Sequence, residues 1–272
     1  MQQEPTKKIW SQSWQRYAAS VQYKGSRYYG LQNQNKLPTI AAAVEQAITR
    51  IADHAIRIQY AGRTDKGVHA ISQIIHFDSC SKRNRHNWLS GINRYLPDDI
   101  SLDWIKPVNQ SFHARFSALT RRYIYLLYST PIRPGLSHQM ATWTHKTLKV
   151  TDMHQAAQYL KGEHNFTSFR SQACQAKTAI RTIHSIKVHQ NNKLITIEVT
   201  ANAFLHHMVR NIVGSLLKIG ENHKPINWIQ QVLTARDRTQ AGATAPPEGL
   251  YLAQVTYPDS FKLPDPPDTI GL

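Results

Sequence analysis

The sequence predicts an α+β fold: two ferredoxin-like βαββαβ units forming one mainly antiparallel sheet, with helices packed behind it and a central active-site cleft. Three observations lead there. The order strand-helix-strand-strand-helix-strand can be read twice along the 272 residues. The strand segments are short and rich in branched apolar and aromatic residues, whereas the segment from Phe204 to Gly220 repeats its apolar residues at i, i+1, i+4 and i+5, as a helix does. A hydrophobic content of 41% is compatible with a packed core, and the length suits two modest domains or one large one.

In the first half, a strand is predicted from Tyr17 through Tyr23 and a helix over Thr39–Ala52. Strands over Ile56–Tyr60 and Val68–Phe77, a helix around Trp88–Tyr95 and a strand over Ile100–Val108 follow. The order restarts at Arg121, with a strand over Tyr123–Tyr128, a helix over Thr151–Leu160, and strands over Thr182–Val188 and Leu194–Thr200. Helices after Phe204 and a strand over Leu250–Val255 complete it. The junction near 115–120 divides the chain into halves 17–118 and 119–258, with flexible extensions at 1–16 and 259–272. One helix is especially clear. In FLHHMVRNIVGSLLKIG, Phe204, Leu205, Met208, Val209, Ile212, Val213, Leu216 and Leu217 form a wide apolar stripe ended by Gly220 and interrupted by Arg210 and Asn211.

Lys and Arg number 33 against 17 Asp and Glu, a formal net charge of +16 with aromatic residues interleaved. That excess is larger than solubility requires and suits a surface that follows phosphates and stacks bases, so nucleic acid is the expected partner. Other classes drop out. No apolar run approaches the roughly 20 residues that span a bilayer, and the N-terminus lacks the apolar region of a secretory signal, so a soluble, cytoplasmic protein is expected. Cys80 and Cys174 lie far apart and read as buried free thiols. None of the 14 histidines forms HExxH, and His206 and His207, adjacent on a predicted helix, are expected to point to different faces, so no metal is expected. The phosphate-binding glycine motifs GxGxxG and GxxxxGK[ST] are absent, so no nucleotide cofactor is indicated.

Against this basic background the stretch AGRTDKGVHA, Ala61–Ala70, sets one carboxylate, Asp65, between Arg63 and two glycines. Gly62 and Gly67 permit positive φ and close backbone approach, so Arg63, Thr64 and Asp65 are expected on a tight loop between strands. By local pattern alone Asp65 reads first as a turn cap; the basic, aromatic context makes it a candidate nucleophile on a polyanionic substrate.

AGRTDKGVHA occurs with SFHARFSA, RRYIYLLY, NFTSFR, ANAFLHHMVRNIVGSLLKIG and GLYLAQVTYP, in that order, from about Tyr17 to Pro258. The set resembles the tRNA pseudouridine synthase I (TruA) family. The resemblance implies isomerisation of uridine to pseudouridine at positions 38 to 40 of the tRNA anticodon stem-loop, by a homodimer without cofactor or metal. Carried over residue by residue, it makes Asp65 the nucleophile, Arg210 its ion-pair partner and Tyr123 the active-site tyrosine. It assigns base flipping to Arg63 and to Phe112, His113, Ala114, Arg115 and Phe116. It also implies tRNA contacts at Arg83, within the basic run 82–85, and at Gln172, Ala173, Cys174, Gln175 and Ala176. Phe166 to Arg170 are read as packing beside the site. Two departures stand out: Lys66 where the family usually has alanine, and Leu31 where it usually has tryptophan.

The reaction breaks the N1–C1′ bond of uridine and rejoins the ring through C5, with no redox change, so one carboxylate suffices. A nucleophilic carboxylate must be ionised, and a cationic neighbour favours that form. A non-catalytic RNA-binding protein would share the charge and aromatics but has no need of the GRTD, Tyr123 and Arg210 set. A glycosidase would need a second carboxylate, and none lies near Asp65 in the sequence.

Overall fold

The computed structural model describes residues 14–265. The first half contains β1 (Gln15–Tyr23), α1 (Ile40–Ala52), β2 (Gln59–Tyr60), β3 (His69–Ser79), α2 (Arg85–Tyr95) and β4 (Ile100–Val108). The second contains β5 (Thr120–Ser129), β6 (Thr142–Thr144), α3 (Val150–Gln158), β7 (Gly162–Asn165), β8 (Ile180–Asn191), β9 (Leu194–Ala201), α4 (Met208–Gly220), α5 (Trp228–Ala235) and β10 (Leu250–Thr256). The strands form one sheet in the order β4-β1-β3-β10-β5-β9-β8-β7, with β2 added on β3 and β6 on β5. All pairs are antiparallel except β3–β10 and β5–β6. The chain is therefore a mixed α/β protein with a mainly antiparallel sheet.

The halves meet where β10 lies beside β3, through only two register pairs, Tyr251–His69 and Leu252–Ala70. Those pairs sit directly after the Asp65 loop, so the seam and the candidate nucleophile share one place in the fold. Alternation along β5 shows how the sheet divides its faces. Tyr123, Tyr125 and Leu127 join the main core under the helices, while Ile124 and Leu126 join a smaller cluster with Ile71, Ala141, Tyr251 and Ala253.

Helix α1 starts where the sequence predicts because the Thr39 hydroxyl accepts the Ala42 N–H, and it buries Ile40, Val44, Ala47 and Ile48. Its buried Glu45 accepts from Arg57, Asn33 and the Ile58 backbone, which satisfies an otherwise costly interior carboxylate. The same contacts correct the strand expected at Ile56–Tyr60. The N–H groups of Ile56 and Ile58 go to the Thr49 hydroxyl and Glu45, leaving only Gln59 and Tyr60 paired with β3.

The segment Phe204–His207, expected at the start of the long helix, lies outside it: α4 begins at Met208, after His207 takes up a left-handed conformation at φ 61°. Asn211, which interrupts the apolar repeat, is buried. Its amide donates to Phe169 O and its Oδ1 accepts from Thr244 and Arg238, joining three segments at the base of α4.

The expected extensions at 1–16 and 259–272 fall partly outside the described residues, at 1–13 and 266–272. The described parts are anchored at particular residues. Arg16 forms a two-pronged ion pair with Asp78 and donates to Gln110 O and Phe112 O. Phe261 packs edge-on against Phe112, with ring centroids 5.1 Å apart. Neither Cys80 nor Cys174 is buried as expected; both are free and half-exposed. Among the described residues no helix is long and apolar enough to cross a membrane.

Candidate active site

A cleft of about 1400 Å³ opens at the seam between the halves. Arg63, Arg115, Arg121, Arg133, Arg181 and Arg210 line it against two carboxylates, Asp65 and Glu248. Such a surplus of guanidinium groups in one groove favours a polyanion.

The Asp65 loop is fixed from several sides. The buried Gln73 amide donates to Gly62 O and accepts from Gly62 N, at 2.7 and 3.3 Å, as a neighbouring strand would. Tyr23 and Thr64 join hydroxyls at 2.7 Å, and Leu31 N donates to Thr64 O at 3.1 Å. Gly30 adopts φ 88°, and a Cβ there would stand 2.6 Å from Thr64 O, so only glycine lets the loop after β1 run beneath the Asp65 loop. Gly67 also has positive φ, at 80°, as expected. Gly62 does not, and a Cβ at that position would face the Tyr123 hydroxyl at 3.7 Å.

Arg121 is a hub that sequence reasoning missed. Its guanidinium donates to the carbonyls of Ala61, Arg115, Ala118 and Asn202, joining the Asp65 loop to the 112–116 loop and to the segment before α4. It stands two residues before a predicted strand, but only the tertiary structure gathers those four carbonyls.

Arg210 and Asp65 do meet: Nη1 lies 3.4 Å from Oδ2, a contact that spans the two halves. The guanidinium is aimed by Nε, which donates to Ala245 O at 2.7 Å. Segment 241–245 can supply that carbonyl because Gly214 and Gly242 let two backbones touch; a Cβ on Gly214 would lie 1.7 Å from Ala243 O.

His206 and His207 correct the sequence reading most directly. Instead of diverging, they bring Nε2 atoms to 3.2 Å from Asp65 Oδ1 and 3.3 Å from Asp65 Oδ2, with ring centroids 3.9 Å apart. Residue 206 precedes the helix and His207 is left-handed, so the 100° per-residue divergence of a helix does not apply. Burial holds His207 below the usual histidine range, against the opposing pull of Asp65.

Tyr123 lines the same cleft, 8% exposed, with its ring edge-to-face against Phe204 at 4.9 Å. Burial, with help from Tyr23 and Asp65, raises its pKa far above the ordinary tyrosine value, so the hydroxyl stays protonated. Lys66 turns away from the carboxylate: its Nζ sits 4.0 Å from the centroid of the Tyr29 ring. Leu31 is buried, supporting the loop rather than lining the cleft.

The other expected contacts separate. Arg63, Arg115 and residues 173–176 line the cleft, while Gln172 is exposed beside it. Phe112 and Ala114, expected among the base-flipping residues, are fully buried and do not line the cleft: Phe112 packs on Tyr257 and Phe261, and Ala114 N donates to His76 Nδ1. His113 shapes its own loop by accepting from the N–H groups of Arg115 and Phe116, leaving Phe116 75% exposed. Arg83 lies away from the cleft lining, held by Asp53 at 2.8 Å and by Ile51 O at the end of α1. Phe166 and Phe169 are core residues, in keeping with a packing segment.

The sequence matches the family described as tRNA pseudouridine synthase over residues 19–117 and 156–258, more than half of the chain. The chain belongs to the tRNA pseudouridine synthase family. Curated relatives named tRNA pseudouridine synthase A agree: the one from Pseudoalteromonas atlantica is 50% identical over 92% of this chain and 95% of its own length. The one from Tolumonas auensis is 48% identical over 93% and 97%. Among solved structures, the archaeal box H/ACA sRNP Nop10-Cbf5 complex is similar at a TM-score of 0.35 and 10% identity, over 74% of this chain and 43% of that one. The stretch between the two family-matched segments, 118–155, carries the hub Arg121 and Tyr123.

Proposed function

We propose that this chain isomerises uridine to pseudouridine at positions 38, 39 and 40 in the anticodon stem-loop of tRNA, with Asp65 as the reacting carboxylate. The observation that carries this reading is the pairing of Asp65 with Arg210 at 3.4 Å on the floor of an arginine-lined cleft, with Tyr123 beside them. A permanently charged guanidinium held by Ala245 O gives the carboxylate a fixed counter-charge and aims it. From there Asp65 attacks C1′, adds to C6, or removes the 2′ proton on a glycal route; each needs an ionised, fixed carboxylate. The N1–C1′ bond breaks, the ring turns, C5 bonds to C1′, and the C5 proton is lost as N1 gains one, so the atoms balance without a cofactor. Tyr123, a neutral phenol, stacks on the flipped base, and its hydroxyl relays a proton rather than acting as a phenolate.

Extracting the base from a stem costs about a few kcal/mol, and Arg63 and Arg115 are suited to fill the vacated stack or hold its phosphates. In this reading residues 17–118 and 119–258 are the two ferredoxin-like halves, consistent with the matching strand orders β4-β1-β3-β2 and β10-β5-β9-β8. The enzyme works as a cytoplasmic homodimer, in which one tRNA touches both subunits. Asp65→Asn should abolish tritium release from 5-tritiated uridine tRNA while sparing tRNA binding, and pseudouridine mapping in a strain lacking the protein should show loss confined to positions 38 to 40. Persistent tritium release by the variant would overturn the assignment of Asp65.

A further inference from the structure

Two adjacent imidazoles converging on one carboxylate are more than the isomerisation needs, since Arg210 already supplies the counter-charge. We propose that Asp65, His206 and His207 form a binding site for one zinc-type divalent cation, whose occupancy withdraws the carboxylate and reversibly switches the enzyme off. The inhibitory part rests on the reading of Asp65 as the reacting group.

The donor set, two imidazole nitrogens and one carboxylate, is that of an open zinc site. Ligand atoms about 2.0 Å from a tetrahedral ion lie about 3.3 Å from one another. His206 Nε2 stands 3.2 Å from Oδ1 and His207 Nε2 3.3 Å from Oδ2, each close to such an edge, and with one donor atom per residue all three fall within 4.8 Å of one another. Small rotations of the two rings close the remaining edge. His206 is exposed toward the cleft, which leaves water room to complete the coordination.

The backbone incurs a cost for this convergence. A left-handed non-glycine residue is disfavoured by about 1 kcal/mol, and His207 holds that conformation at φ 61°. Neither Nδ1 has a protein hydrogen-bond partner among the described residues. Each ring can therefore carry its proton on Nδ1 and offer the Nε2 lone pair to an ion. Two features keep binding exchangeable: the Arg210 charge 3.4 Å from the same carboxylate, and the lack of groups that fix the imidazoles from behind. Mg²⁺, which favours oxygen ligands and retains its waters, does not compete.

The test uses the full-length, metal-free protein. Zn²⁺ titrated against a chromophoric chelator should bind at one site with a roughly micromolar Kd. Co²⁺ should give the visible bands of a four-coordinate ion. Both signals should weaken by at least about tenfold in His206→Gln and in His207→Gln, and persist in a Cys80→Ser, Cys174→Ser double variant and in excess Mg²⁺. In the tritium-release assay Zn²⁺ should inhibit the wild type with a midpoint matching its Kd, reversed by chelator. No binding tighter than about 100 µM, undiminished binding in both histidine variants, or binding without inhibition would each overturn the proposal. Metal-free Asp65→Asn separates the two readings: activity there would sink the role of Asp65 whatever the cobalt spectrum shows.

Discussion

Gly214→Ala sets two expectations of opposite sign against each other. Glycine in the interior of α4 should, by helix propensity alone, gain about 1 kcal/mol on replacement by alanine. In the folded protein the new methyl would stand 1.7 Å from Ala243 O and 2.9 Å from its carbonyl carbon, atoms of a backbone that cannot rotate away. Overpacking of this kind costs about 1–3 kcal/mol, and with backbone as the obstacle the upper end applies. Segment 241–245 must retreat from α4, which loosens the Ala245 carbonyl that aims Arg210 and the return bond from Ala245 N to Arg210 O. Hydrogen bonds to charged groups contribute about 1.5–3 kcal/mol, so disengaging this one should lower turnover by roughly tenfold or more. Urea unfolding should therefore show a net loss of about 2 kcal/mol, and tritium release should fall even at temperatures where the variant is folded. A variant as stable as the wild type with full activity would refute the claim that backbone contact between α4 and 241–245 positions Arg210.

Arg121→Met, which leaves four carbonyls without their donor, should reduce turnover by roughly tenfold to a hundredfold while retaining secondary structure by circular dichroism; wild-type kinetics would remove its role as a hub. Lys66→Ala should change turnover by less than about threefold, because the ammonium interacts with Tyr29 rather than Asp65; a larger drop would return Lys66 to the chemistry. Buried His69 accepts the Gly25 N–H on Nδ1, and burial lowers its pKa from 6.5 to about 4. The unfolded chain therefore binds the extra proton first. The stability contribution is complete above pH 6.5 and lost as pH falls toward 4, amounting to on the order of 2 kcal/mol between pH 7 and pH 5, with His76 shifted the same way. Urea titrations at the two pH values should show this loss and a shallower one in His69→Gln; equal slopes would exclude His69 as the cause.

Much of the architecture was legible because its signals are local. Thr39 caps the predicted helix, β4 has the predicted bounds, and the unbroken apolar run Tyr123–Tyr128 marks a strand with two buried faces. The signal failed where a side chain replaced a strand partner. Ile56–Tyr60 alternates as a strand does, yet Thr49 and Glu45 take the N–H groups a neighbouring strand would have used. Polar short strands such as β7 gave too little pattern to find. At the site, Asp65, Arg63, Arg210 and Tyr123 were reached through motif and resemblance, whereas Arg121 and the histidine pair were not. Their significance lies in long-range partners, and no periodicity reports a left-handed residue at His207.

The sequence by itself determined the α+β order, the basic character, and a tight loop presenting one acid, because charge, alternation and glycine spacing act over a few residues. Only the tertiary structure decided what that acid meets. Asp65 and Arg210 are 145 positions apart, joined because β10 pairs with β3 and because two glycines let 241–245 lie against α4. Close approach of distant backbones depends on atoms that are absent, and residue patterns do not reveal which empty space another segment will fill.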